Sequence, residues 1–182
     1  MVELLSRTEC LKKYRSDYYI NQKIAMGKLF RIDKGIYSDK ENVPELALIA
    51  FKYPNAVITM ETAFYLYDLS DEIPDEYSVA TKREAAPISD PRVKQYFVPK
   101  DILQLGKTEF DYKGFPISTY DRERMLVELI RYKSKLPYNY YKEILLNYRR
   151  ILPQMNIEKI RDYAEAMPKS KKIINTLRQE VY

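Results

Sequence analysis

The chain has 182 residues, 46% of them hydrophobic, and a net charge of +5; this suits one ordinary domain, or a small module joined to a larger one, with enough apolar side chain for a packed core. It has no histidine and a single cysteine, Cys10, which excludes an internal disulfide, a multi-cysteine metal site and every nucleophile activated by a histidine base. No apolar run approaches the ~18 residues of a membrane span, and MVELLSRTEC at the start has no basic stretch leading into an apolar one, so a cytoplasmic protein without membrane contact is expected.

In chain order, SRTE at residues 6–9 fits a capping box, with Ser6 and Glu9 satisfying each other's backbone N–H groups, and predicts a helix over about 6–14. A second helix opens at Ser16 or Asp17 and stops at Gly27. On it Ile20 and Ile24 share one face; Tyr18, Gln22 and Ala25 project to the opposite side, with Asn21 at the flank. GKLFRIDKGIYS at 27–38 then reads as a hairpin, with strands over 29–32 and 36–38 and Gly35 supplying the positive φ of the turn. Pro44 starts a helix to about Lys52. NAVITMETAFYLYDL reads as an apolar entry and a mostly buried helix over 59–67. EYSVATK and KQYFVP look like strands, and KTEFDYKGFPISTY like a hairpin turning at Lys113 and Gly114. Asp121 caps an amphipathic helix to about Lys133 whose stripe is Met125, Leu126, Leu129 and Ile130, with Arg124 expected against a carboxylate. Three more helices are predicted over about 138–150, 157–166 and 168–180, the last two starting at Asn156 and Pro168.

Charge is unevenly placed. Residues 1–38 hold eight Lys and Arg against four Asp and Glu, residues 39–130 eleven against seventeen, and residues 131–182 twelve against five. Basic ends on an acidic middle point to an anionic partner, such as nucleic acid or an acidic protein.

Two short helices followed by a hairpin is the order of a winged helix-turn-helix, whose second helix enters the major groove while the hairpin touches the backbone. Tyr18, Asn21 and Gln22 are of the types that read base edges. Lys23, Lys28, Arg31 and Lys34 are of the type that meets phosphates. The expected class is therefore α+β: a small winged-helix-like module over 1–40, followed by a mixed α/β domain over 41–182 that ends in a helical tail. Only five residues precede Ser6, so the module is expected without the first helix of a full winged helix.

Three stretches, in this order and spacing, resemble the AbiEi-type antitoxins of bacterial abortive-infection (type IV toxin–antitoxin) systems. GKLFRIDKGIYS is similar to that family's helix end and wing. YPNAVITMETAFYLYDLSDEIPDEYSVAT, at 53–81, is similar to its apolar stretch, helix and strand. ISTYDRERMLVELIRY, at 117–132, is similar to its strand, acidic cap and helix. The resemblance covers roughly residues 15–135. It implies a protein that binds inverted repeats in its own promoter and represses its operon, and whose larger domain counteracts a nucleotidyltransferase-like toxin without needing a stable complex with it.

Two alternatives remain open. One is a pure interaction module without DNA binding. The other is a metal-dependent nuclease, in which Asp111 and Lys113 of EFDYKG would form half of a carboxylate–lysine site. Glu61, a lone charge within TMETAF, is expected to pair with a nearby Lys or Arg. Neither a cofactor nor enzymatic activity is expected.

Overall fold

The computed structural model describes residues 3–182, which form nine α-helices and two sheets, an α+β protein. They gather into two compact units: residues up to Tyr53 with Asp111–Ile117, and Pro54–Phe110 with Ser118–Tyr182.

The smaller unit starts with β1 (Leu4–Ser6), a strand with no sequence signal of its own because it is three residues long. Ser6 caps α1 (Arg7–Tyr14): the Glu9 N–H donates to Ser6 Oγ at 3.3 Å, and the Ser6 N–H donates to Glu9 Oε2 at 2.7 Å, the reciprocal capping box read from SRTE. Ser16 caps α2 (Asp17–Ala25), which ends two residues before Gly27. There the Lys28 N–H reaches the Lys23 carbonyl and the Gly27 N–H that of Ile24, with Gly27 at φ +65. This double closure needs a left-handed residue, which glycine adopts at no steric cost. β2 (Phe30–Asp33) and β3 (Ile36–Ser38) form the hairpin, with an irregularity in β2 between Arg31 and Asp33. β3 is the central strand, antiparallel to both β1 and β2. The sheet and the two helices enclose a small core of Leu5, Cys10, Ile20, Leu29 and Tyr37, with Leu11, Tyr14 and Ile24 packed against it.

α3 (Glu45–Lys52) follows Pro44 as expected, and Lys52 Nζ lies 3.0 Å from Asp33 Oδ2 on the hairpin. A domain boundary at residue 40 assigns this helix to the larger domain, but it clusters with the smaller unit.

The second sheet has five strands and belongs to the larger unit except for Asp111–Ile117 of its last hairpin, which cluster with the smaller one. Its strands are β4 (Val57–Ile58), β5 (Tyr77–Lys82), β6 (Val93–Val98), β7 (Lys107–Tyr112) and β8 (Phe115–Tyr120), ordered β6-β5-β4-β8-β7. β5 runs parallel to β6 and β4 parallel to β8, while β4 is antiparallel to β5. β4 is only two residues long and was not predicted. Neither was α5 (Lys100–Leu103), a single turn after Pro99. α4 (Met60–Leu66) follows β4 directly, and the β7–β8 hairpin turns at Lys113 and Gly114, both at positive φ. Asp121 caps α6 (Arg122–Tyr132), its carboxylate accepting from the Arg124 N–H at 2.8 Å.

α6 packs against α4 and against three helices that complete the unit: α7 (Tyr138–Ile151), α8 (Ile157–Ala166) and α9 (Ser170–Glu180). The last begins at Ser170 rather than Pro168, because Lys169 takes a left-handed φ of 64 before it. The predicted stripe of α6 is buried, and so are Arg124, Val127 and Glu128. The two charged residues tolerate this by pairing: Arg124 Nη2 lies 2.6 Å from Glu128 Oε1, and Arg131 Nη1 lies 3.0 Å from Glu128 Oε2. Arg124 Nη1 also donates to the carbonyls of Ile102 and Leu105, tying the α5–β7 connection to α6. Gly106 is what lets that connection approach, since a Cβ there would lie 2.7 Å from Arg124 Cβ. Among the described residues, no helix is long and apolar enough to cross a membrane.

Candidate functional site

α2 is amphipathic in the sense its spacing predicts. Ile20 is 2% exposed and Ile24 packs on the same core. At about 100° per residue, Tyr18 and Gln22 lie on the opposite side with Asn21 at the flank beside Tyr18, and all three are exposed, Tyr18 at 70%. The structure therefore brings these three together. Lys23 does not join them: it sits roughly 100° beyond Gln22, half-buried on the flank one turn after Tyr19. Lys28 is exposed just past the helix cap, and Arg31 and Lys34 are exposed on the hairpin. Among the described residues, none of Asn21, Gln22, Lys23, Lys28, Arg31 and Lys34 makes a side-chain hydrogen bond or ion pair.

Neighbouring charges are already engaged. Arg7 Nη2 lies 3.0 Å from Asp17 Oδ2, and Lys13 pairs with Glu3. The hairpin turn is held as well: Asp33 Oδ1 accepts from the Lys34 N–H at 2.6 Å, and the Gly35 carbonyl accepts from the Arg7 N–H at 2.8 Å. The turn is thus a fixed platform from which the Lys34 side chain projects.

A second polar cluster lies in the larger unit around Glu61, in the first turn of α4. Its carboxylate accepts from Ser78 Oγ at 2.8 Å, Lys94 Nζ at 2.8 Å and the Tyr96 hydroxyl at 3.0 Å. Burial pushes the carboxyl up, but the hydrogen bonds from Lys94, the backbone and Ser78 outweigh it and hold Glu61 below its ordinary 4.5. Burial, with Glu61 alongside, raises the Tyr96 phenol to about 12 against the lowering effect of Lys94. Met60, immediately before Glu61, is 1% exposed and held at φ 44. The cluster borders a cleft of about 530 Å³ whose other walls include Glu72, Asp75, Glu76, Tyr140 and Glu143.

The fold is similar to the crystal structure of the RV2827C protein from Mycobacterium tuberculosis. The TM-score is 0.63 at 12% identity, over 97% of this chain and 72% of that one, a likeness of fold alone. No protein-family model matches the chain, and no match to a curated protein is found.

The carboxylate–lysine pair considered for a nuclease serves a turn. Asp111 Oδ1 accepts from the Gly114 N–H at 3.1 Å, and Lys113 occupies a left-handed position with its ammonium 5.2 Å from the Tyr112 ring centre. Among the described residues, no group of three acidic or thiol side chains is arranged to hold a metal ion.

Two exposed cations of the smaller unit escaped the sequence reading. Lys12 on α1 and Arg15, at φ 71 between the two helices, make no ion pair among the described residues. A left-handed, non-glycine residue between two helices leaves no periodic signal.

Proposed function

We propose that the chain is a two-part bacterial regulator. Its smaller unit acts as a winged-helix-like module and binds double-stranded DNA at inverted repeats in its own promoter. Its larger unit acts as the antitoxin of a type IV system, opposing a nucleotidyltransferase-like toxin in the cytoplasm without a stable complex, an enzymatic activity or a cofactor.

The observation that carries the DNA reading is the face of α2. Ile20 and Ile24 anchor the helix, while Tyr18, Asn21 and Gln22 point away from the core with Lys28, Arg31 and Lys34 free beside them in the chain. The strand–helix–helix–hairpin order and the β1-β3-β2 sheet are in keeping with a winged helix. Amides and hydroxyls supply readout of base edges, and unpaired cations supply the phosphate contacts on which most of the affinity rests. The antitoxin half rests on the resemblance in the stretches at 53–81 and 117–132.

Titration of the full chain against a labelled duplex carrying its own upstream repeats tests the first half, with a scrambled duplex as reference. Preference for the repeats is expected; equal binding to both, or none at low salt, counts against it and favours a pure interaction module. Co-expression with the product of the adjacent gene tests the second half. Relief of that protein's toxicity is expected, and a neighbour that is not nucleotidyltransferase-like counts against the assignment.

A further inference from the structure

The cleft beside Glu61 is lined by five carboxylates. Glu61 itself is saturated by Ser78, Lys94 and Tyr96. Around it Glu72, Asp75, Glu76 and Glu143 are exposed and make no ion pair among the described residues. The two cations of the cleft do not neutralise them, since Lys94 is held by Glu61 and Lys135 lies 5.2 Å from the Tyr132 ring centre. The rim also has an apolar lip. Ile73 on the wall is 72% exposed, and Tyr138, which follows the lining residue Pro137, is 70% exposed. Concave, apolar at one edge and uncompensated in negative charge, the cleft attracts a cationic surface that also carries aromatic side chains.

The smaller unit has such a surface. Tyr18, Tyr19 and Met26 are exposed at 70%, 52% and 56%, the two tyrosine rings meeting edge to face at 5.4 Å. Lys12, Arg15, Lys23 and Lys28, on α1 and α2 or next to them in the chain, make no ion pair among the described residues. We infer that the cleft of one copy receives the α2 face of a second copy, tyrosines against Ile73 and Tyr138 and cations against the rim carboxylates. The contact joins two different surfaces, so it is heterologous rather than self-complementary. It covers the side chains assigned above to DNA, so a second copy and a duplex compete for one surface; only this competition rests on the DNA reading.

Sedimentation of the full chain without DNA tests the contact. At about 50 mM salt the average mass is expected to rise above 21.7 kDa with concentration, and at about 500 mM to return to it. The double variant Glu76→Gln/Glu143→Gln is expected to weaken association about tenfold, and Tyr18→Ala/Lys23→Ala to do so from the other side. All four residues lie outside the packed cores, so folding is not at stake. A monomer at every concentration in low salt overturns the inference, as does association that both variants leave intact. Added duplex is expected to return the mass to one protein per binding site. Duplex bound to an undiminished assembly overturns the competition. Association that appears as expected while no duplex binds supports the contact and sinks the DNA reading alone.

Discussion

The polar side chains of the two units are used differently. In the larger unit, the rim of the cleft apart, several of them form networks within the fold. Arg124, Glu128 and Arg131 share one network. Asp121 caps α6 and also accepts from the Tyr163 hydroxyl and pairs with Lys159. Glu180 near the C-terminus pairs with Lys133 and accepts from the Tyr141 hydroxyl. In the smaller unit Arg7, Lys13 and Asp33 are engaged in the same way, but the α2 face and the cations after it are not. A polar group bonded inside the fold contributes to stability, and one left unbonded on a rigid helix is available to a partner. Substitutions in the two regions should therefore separate: the first kind changes melting, the second changes binding.

The largest expected effect is that of Arg124→Ala. It leaves Glu128 buried with Arg131 as its remaining cation and strips two carbonyls of their donor. A loss of about 3–5 kcal/mol is expected in urea denaturation; a loss below about 1 kcal/mol would mean that α6 does not hold the α5–β7 connection. Ile20→Ala comes next, at about 2–4 kcal/mol, because the core it leaves is small and cannot collapse around the gap. Hydrogen exchange should report it as lost protection in α2, and unchanged protection there would contradict the anchoring of that helix by Ile20.

Glu61→Gln should cost about 1 kcal/mol at pH 7, with a definite sign against pH. The folded carboxyl lies below its ordinary 4.5, so its contribution is whole above 4.5 and disappears as pH falls from there through the folded value. Stability curves of wild type and variant should converge on acidification; curves that stay parallel through that window would show that the ion pair with Lys94 is not the source. Ser6→Ala removes half of the capping box and should cost about 1 kcal/mol, read as a lower melting temperature. Smallest of all, Tyr18→Ala, Asn21→Ala and Gln22→Ala should each stay within about 0.5 kcal/mol of wild type in stability while weakening duplex binding. A large loss of stability from any of them would make the α2 face part of the fold rather than a contact surface.

What was legible in the sequence was local. The capping box of Ser6 and Glu9, the cap at Asp121 and the hairpin turns at Gly35 and Gly114 lie within a few residues of the structure they dictate, and each is where its spacing placed it. β1 and β4 were invisible because two or three residues carry no periodicity, and each becomes a strand only through pairing with β3 or with β5 and β8, distant in the chain. α5 is one turn long and α9 starts late for the same reason, a local geometry without a repeating pattern. The α2 face could be read because 3.6 residues per turn sorts Ile20 and Ile24 from Tyr18 and Gln22, although Lys23 then belongs to the flank. The cleft could not be read: Ser78, Lys94 and Tyr96 reach Glu61 through the pairing of β5 with β6, and Glu143 comes from α7. Glu61 was expected to find a cation; which one was a matter of tertiary structure.

The central claim is that the unpaired cations beside α2 meet DNA phosphates. It is tested most directly by titrating the full chain with its own upstream duplex at several salt concentrations, comparing wild type with Arg31→Ala/Lys34→Ala. We expect the variant to bind every duplex more weakly by a similar factor, and its plot of log affinity against log salt to be shallower by about two, near one for each cation withdrawn from a phosphate. A slope identical to that of wild type would contradict the claim.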